Sequence, residues 1–224
     1  MAGKETRGPE VIRRDVYAQL SWDNRIDESN ITVEVADSRV ILSGTVPTYP
    51  NLMQAERDAY EIPGVKSVEN RLRVLFPTTY PTPGDARIEG NIRALLETNP
   101  AIDARNIRVS SLNNVVTLTG SVATDWQKGR AGYIAVNVEG VLELRNELRV
   151  VPRGARADVD IEKDIEDSLA RNAFIRPGHV RVEVRSGAVV LSGTVDDYQE
   201  YRTAERIASH TNGVVGVTNS LAIR

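Results

Sequence analysis

Several residue types that carry chemistry are absent from this chain or scarce in it. None of its 224 residues is a cysteine, which excludes disulfides, thiolate metal sites and thiol nucleophiles. Its two histidines, His179 and His210, each lack a second histidine three or four positions away. A metal site is therefore not expected, and neither is a cofactor. Aromatic residues make up only 5% of the chain, so its cores should be aliphatic.

Long apolar runs are also missing. No segment approaches the roughly 18 apolar residues that suggest a transmembrane helix. The first ten residues, MAGKETRGPE, contain no apolar stretch of the secretory type. We therefore expect a cytoplasmic location for the chain as it stands. The alternative is a periplasmic or secreted location, if a signal peptide has been removed.

The sequence also lacks an excess of positive charge and any catalytic signature. The net charge is −3 and the pI is about 5.6, whereas nucleic-acid-binding domains usually have a basic patch or a high pI. Nucleic acid is therefore not an expected partner. There is no nucleophile elbow, phosphate loop, zinc signature or dinucleotide fingerprint. An enzyme is not predicted.

The dominant feature that is present is a threefold repeat. The same landmarks recur at the same spacing, with no insertion or deletion between the first and the last of them. The repeated glycines are Gly44 and Gly64, Gly120 and Gly140, and Gly193 and Gly213. An asparagine follows each pair, at Asn70, Asn146 and Asn219. A period of roughly 70 residues indicates tandem small domains and is typical of scaffold or binding proteins.

The pattern inside one repeat predicts its elements. Apolar residues at i, i+4 and i+8 predict a first helix: Ile12, Val16 and Leu20; Ile88, Ile92 and Leu96; Ile161, Ile165 and Leu169. Alternating residues then predict two strands around a short turn. One register holds the predicted N-caps of a second helix, Thr48, Thr124 and Asp197. A further alternating segment predicts a third strand, parallel to the second because a helix connects them.

The predicted fold is α+β, with three tandem αββαβ domains. Each domain should be a small mixed three-stranded sheet packed against two helices. We place an N-terminal tail at residues 1–8 and the domains at 9–76, 85–151 and 158–224. A Pro-rich linker occupies residues 77–84, and a second linker occupies residues 152–157.

These motifs resemble the BON domain. In the first repeat the resemblance is carried by Val40–Val46, Ala55, Ala59 and Gly64–Asn70. The equivalents are Val116–Val122, Ala131, Ala135 and Gly140–Asn146, and then Val189–Val195, Ala204, Ala208 and Gly213–Asn219. The resemblance covers almost the whole chain.

The resemblance implies a bacterial binding module linked to osmotic or envelope stress. The expected partner is an anionic phospholipid or a membrane surface. Two alternatives stay open: a protein-interaction or chaperone scaffold that self-assembles, and a sensor of potassium or another small solute.

Charge favours the middle repeat for lipid contact. Residues 8–75 carry 8 basic and 11 acidic side chains, residues 85–151 carry 8 and 8, and residues 156–224 carry 9 and 11.

Candidate binding residues lie near the start of the second helix. Trp126 stands close to Lys128 and Arg130, and an amphipathic ring beside cations suits a lipid headgroup layer. The alternative is that Trp126 is a cap residue or forms a contact between repeats. Tyr49 and Tyr198 share one register beside the helix cap and are candidates for a partner surface.

The other repeated residues are expected to be structural. The glycines Gly44, Gly120 and Gly193 lie late in a strand and predict a bulge or a close backbone approach. Their partners Gly64, Gly140 and Gly213 suit the left-handed C′ position of the second helix. The three asparagines should hydrogen-bond a nearby loop. Trp22 is expected to pack against the Pro-rich linker or a neighbouring domain.

Overall fold

The computed structural model describes residues 7–76, 83–152, 154, 156–176 and 178–224. Most of the predicted tail and linkers, at residues 1–6, 77–82, 153 and 155, lies outside the described residues. The first repeat contains α1 (Pro9–Trp22), β1 (Ile31–Ala36), β2 (Arg39–Val46), α2 (Tyr49–Tyr60) and β3 (Ser67–Val74). The second contains α3 (Asp85–Glu97), β4 (Ile107–Leu112), β5 (Val115–Val122), α4 (Asp125–Val136), β6 (Glu143–Asn146) and β7 (Arg149–Val150). The third contains α5 (Asp158–Arg171), β8 (Val180–Arg185), β9 (Ala188–Val195), α6 (Tyr198–His210) and β10 (Gly216–Ile223).

This architecture confirms the predicted α+β fold of three αββαβ repeats. In repeat 1 the strand order is β1-β2-β3, with β1 antiparallel and β3 parallel to the central strand. Repeat 3 has the same order and directions in β8, β9 and β10. In repeat 2 the third strand is interrupted, and β6 and β7 both pair with β5. The parallel pairing follows from the helical crossover.

In each repeat, the predicted apolar stripe of the first helix is buried in the hydrophobic core of that repeat. Ile12, Val16 and Leu20 are fully buried, and they pack with the inward residues of β1 and β2. The paired alanines of the second helices are also fully buried. Their short side chains allow these helices to lie close to the sheet. The described residues divide into two units, one of repeat 1 with residues 139–143 and one of the remaining parts of repeats 2 and 3.

The glycine late in each central strand allows a close backbone approach, as predicted. Gly44, Gly120 and Gly193 have φ angles of 118°, 112° and 124°. A Cβ atom at these positions would overlap the carbonyl oxygens of Asn30, Asn106 and His179 respectively. Steric overlap and positive φ thus both favour glycine here.

The three predicted N-caps are confirmed. Thr48, Thr124 and Asp197 each accept a hydrogen bond from the backbone N–H three residues later. Gln127 adds two bonds: its Oε1 accepts from Ala123 N–H at 2.9 Å, and its Nε2 donates to Ala101 O at 2.9 Å. The second helix of repeat 2 is therefore tied at its start to the loop after the first helix.

Each hairpin turn contains residues with positive φ, including Asp37 at 57°, Asn113 at 52° and Ser186 at 51°. In repeat 2 the first-helix residue Asp85 holds this turn, because its carboxylate accepts from Asn113 N–H at 3.0 Å and Asn114 N–H at 2.9 Å. The hydrogen bond from the Ser111 hydroxyl, together with these two backbone bonds, holds the pKa of Asp85 below its usual range.

The prediction for the second glycine of each pair was right in conformation and wrong in position. Gly64, Gly140 and Gly213 have φ angles of 99°, 99° and 94°. However, α2 already ends at Tyr60, so Gly64 lies in the turn beyond the helix instead of at C′. At Gly213 a Cβ would lie 2.9 Å from Cδ1 of Ile161. The turn therefore needs glycine partly because it packs directly on the first helix.

Candidate functional site

The candidate site centres on the second helix of repeat 2. Trp126 is half-buried, and its ring lies 5.7 Å from the His210 ring at the end of α6, at an interplanar angle of 53°. The alternative interpretation of Trp126 as a contact between repeats therefore has a structural basis. Lys128 is half-buried in the same turn, and its carbonyl accepts from Asn146 Nδ2 at 2.8 Å.

The exposed part of α4 presents a cation and an aromatic ring together. The guanidinium of Arg130 lies 5.5 Å from the centroid of the Tyr133 ring, and Tyr133 is 54% exposed. A cation over an aromatic face is a favourable pair. Sequence reasoning missed Tyr133, although its i+3 spacing from Arg130 places both on one helix face and could have revealed it.

The two other candidate residues have the same register in repeats 1 and 3. Tyr49 begins α2 and is half-buried, and burial raises the pKa of its hydroxyl. Tyr198 begins α6 and stacks on Tyr201, with ring centroids 5.8 Å apart and planes at 15°. Tyr49 and Tyr198 thus begin the second helices of two different repeats.

The repeated asparagines bind a helix and not a loop, which corrects the prediction. Asn70 Nδ2 donates to Leu52 O at 3.0 Å, Asn146 Nδ2 to Lys128 O at 2.8 Å and Asn219 Nδ2 to Tyr201 O at 3.2 Å. All three acceptors lie in the first turns of the second helix. Each asparagine therefore ties the third strand to that helix, which explains its recurrence without a ligand.

Repeat 1 alone carries a buried acidic pair among the described residues. Asp58 on α2 is 2% exposed and Asp23, directly after α1, is 6% exposed. Gln54 Nε2 donates to Asp58 Oδ1 at 2.6 Å, while Oδ2 has no hydrogen-bond partner in the described structure. Burial raises the pKa of Asp58 to about 6. The hydrogen bonds from Arg25 lower the pKa of Asp23 to about 2.

Trp22 is 80% exposed, so the packing expected of it is not seen among the described residues. Its side chain ends α1 and faces solvent. In the part of the chain that the structure describes, no helix is long and apolar enough to cross a membrane.

Fold and repeat together define the class of protein, a tandem array of three αββαβ domains. The BON domain model matches residues 10–75, 84–152 and 157–224. The chain therefore belongs to the BON domain family, as the motifs predicted.

Two similar curated proteins come from bacteria. Osmotically-inducible protein Y of Escherichia coli is 33% identical over 143 residues, covering 61% of this chain and 71% of that protein. Outer membrane lipoprotein DolP of Haemophilus influenzae is 30% identical over 135 residues, covering 58% and 69%. Among solved structures, CdsD, a structural protein of the type III secretion system of Chlamydia trachomatis, is 17% identical. It aligns over 96% of this chain and 92% of that one with a TM-score of 0.27, too low to support an argument.

Proposed function

We propose that this protein is a non-enzymatic binding protein of osmotic or envelope stress, and that its middle repeat contacts an anionic phospholipid surface through α4. The names of two relatives, an osmotically inducible protein and an outer membrane lipoprotein, support the stress and envelope setting. The contact residues on α4 are Trp126, Lys128, Arg130 and Tyr133.

The exposed pair of Arg130 and Tyr133 is the observation that carries this proposal. A guanidinium binds phosphate oxygens through several N–H donors, and a tyrosine ring favours the boundary between headgroups and acyl chains. Repeat 2 suits an anionic surface because its basic and acidic side chains balance at 8 each in residues 85–151. Repeats 1 and 3 carry net negative charge and would be repelled.

Vesicle co-sedimentation tests the proposal. The full chain should bind vesicles of phosphatidylcholine with phosphatidylglycerol and leave pure phosphatidylcholine vesicles in solution. Binding should weaken as salt rises, because salt screens the attraction between exposed charges. Arg130→Gln should weaken binding about fivefold, since a cation near an anionic surface contributes about 1 kcal/mol. Tyr133→Ala should also weaken it.

Arg108→Gln is the matched control. Arg108 is exposed on β4, and because it is next to the buried Val109 it lies on the face of the sheet opposite to the helices. It removes the same charge from the same repeat and should change binding little. Equal losses for both arginine variants would assign binding to net charge and contradict a localised site. Unchanged binding of Trp126→Ala would remove Trp126 from the site.

A further inference from the structure

A groove in repeat 2 lies outside the proposed lipid site. It is an open groove with a volume of about 470 Å³ and lies between the end of α3, the following loop and β4. Leu96, Ile102 and Val109, which are themselves buried, form its floor, and Arg93 and Arg105 are among the charged residues that line it.

Repeat 1 has a tyrosine at the corresponding place. Tyr17 and Arg93 both precede the strand glycine of their repeat by 27 positions. The Tyr17 side chain packs on the core of repeat 1. Its hydroxyl accepts from Val33 N–H at 3.1 Å and donates to Ile31 O at 3.4 Å. Tyr17 thus satisfies one donor and one acceptor on the free edge of β1.

The edge of β4 presents the same two groups in repeat 2. Ile107 lies opposite Gly120 and Val109 opposite Leu118, as Ile31 lies opposite Gly44 and Val33 opposite Leu42. The Val109 N–H and Ile107 C=O therefore point away from β5.

No side chain of the described residues hydrogen-bonds the Val109 N–H. Arg93, at the position of Tyr17, is exposed, while Ser111 N–H, two residues farther along β4, is bonded by Glu89 at 2.8 Å. On the edge of β4, the Ser111 N–H therefore has a side-chain partner, whereas the Val109 N–H beside the groove has none among the described residues.

The rim of the groove differs between the repeats as well. In repeat 1, Ser21 Oγ donates to Glu28 Oε1 at 2.8 Å across the rim. Glu97 and Ala104 occupy these positions in repeat 2 and cannot form the same bond. Arg105 is 84% exposed and pairs with Asp103 at 2.7 Å, so its planar guanidinium is held at the rim, where an aromatic ring can stack on it.

We propose that this groove binds a tyrosine side chain of a partner polypeptide, in the way that repeat 1 holds its own Tyr17. The ring lies in the groove over its floor, and the hydroxyl accepts from Val109 N–H and donates to Ile107 O. A polypeptide suits the site better than a free phenol, because the groove opens along a strand edge, where an extended chain can lie beside β4.

Amide NMR titration of the full chain tests the proposal, with N-acetyl-tyrosine amide and N-acetyl-phenylalanine amide as probes. The tyrosine probe should shift the Val109 amide signal saturably and leave the Val33 signal in place, because Tyr17 already occupies repeat 1. The phenylalanine probe should bind about threefold to tenfold more weakly, since it lacks the hydroxyl. Equal binding of the two probes, or no shift at Val109, would overturn the proposal.

Two variants at one position provide the matched control. Arg93→Tyr should fill the groove from within the chain, abolish the shift and raise the thermal midpoint of repeat 2. Arg93→Ala should leave the groove open and keep the shift. A response retained in Arg93→Tyr, with signal dispersion showing a folded chain, would contradict the assignment.

A third probe, p-cresol, carries the ring and hydroxyl without a backbone. The tripeptide Val-Tyr-Val should bind more tightly than p-cresol, and the reverse order would assign the groove to small phenolic ligands and overturn the polypeptide partner. Vesicle binding is independent of all these outcomes, because the groove residues are not on α4.

Discussion

At the scale of single residues, the strand glycines show how backbone proximity selects one amino acid. The carbonyl of Asn106 occupies the space that a side chain at Gly120 would need. A positive φ of 112° adds a conformational preference for glycine. Gly129 on α4 differs, because a Cβ there would meet nothing within 4 Å.

Substituting these two glycines by alanine should have opposite effects on stability. Gly120→Ala should lower the free energy of unfolding by about 3 kcal/mol or more, because overlap adds to the strain of a positive φ. Gly129→Ala should raise it by about 0.5–1 kcal/mol, because alanine favours an exposed helix. Urea denaturation followed by circular dichroism measures both. A destabilised Gly129→Ala would show that α4 needs flexibility at this turn.

Residue patterns predicted backbone roles better than surface roles. The spacing of Gly120 correctly predicted a close backbone approach, because three copies in one register share one backbone need. Tyr133 was missed because exposure and ring geometry depend on which helix face the sheet leaves uncovered. Tyr17 was missed for a similar reason: its partners on β1 lie 14 and 16 residues away in sequence.

At the scale of elements, repeat 1 packs α1 against α2 around an acidic pair that repeats 2 and 3 lack. Their residues at the position of Asp58 are Ile134 and Ile207. Asp58 is faced by Asp23, Arg25, Gln54 and Glu61. Burial disfavours the charged form of Asp58, and the negative charge of Asp23 adds to this effect. The folded state of repeat 1 therefore favours the protonated form of Asp58 more than the unfolded chain does.

This preference makes the stability of repeat 1 depend on pH. The pKa of Asp58 is about 6 in the folded protein against 3.8 in the unfolded chain. The stabilisation that protonated Asp58 gives to repeat 1 is therefore fully present below pH 3.8 and is lost as pH rises through about 6. The difference corresponds to roughly 3 kcal/mol. Asp58→Asn should remove this loss, which thermal melts at pH 4 to 8 would detect.

Glu34→Gln is the control for this experiment, because Glu34 is exposed on β1. It should leave the shape of the pH curve unchanged. An Asp58→Asn variant with the wild-type curve would assign the dependence to other groups. The pKa of Asp23 is lowered to about 2, which is below the pH range of these melts. Ionised Asp23 stabilises the folded protein, and this stabilisation is lost only on strong acidification.

The helices and strands were predicted correctly where the same pattern recurs in all three repeats. Helix starts at Thr48, Thr124 and Asp197 followed from capping chemistry, and the parallel pairing of the second and third strands followed from the helix that connects them. The break between β6 and β7 was not predicted, because Leu144 and Leu148 continue the apolar pattern through it. The asparagine ties were assigned to a loop, since sequence spacing does not show which element faces the third strand.

At the scale of the whole molecule, repeats 2 and 3 share a contact inside one unit. Trp126 on α4 and His210 on α6 bring their rings to 5.7 Å. Aromatic pairs of this kind contribute about 0.5–1.5 kcal/mol beyond the area that they bury. The contact therefore couples the two repeats with modest energy.

Removing the tryptophan ring should weaken this coupling. Trp126→Ala should lower the free energy of unfolding of repeats 2 and 3 by about 1–3 kcal/mol, a range below that of a fully buried ring because the side chain is half-buried. Differential scanning calorimetry would show a lower or broader transition. Trp22→Ala is the control and should change little, within about 0.5 kcal/mol. Equal effects of the two variants would exclude a special role of the contact.

The same ring contact gives the protein an optical property. The chain contains two tryptophans, one 80% exposed and the other half-buried beside an imidazole. Trp22→Phe would leave Trp126 as the single indole emitter. Because a neighbouring imidazole alters the emission of an indole, the intensity of Trp126 would change if α4 and α6 separated. The junction between repeats 2 and 3 can thus be followed by fluorescence, without an attached dye.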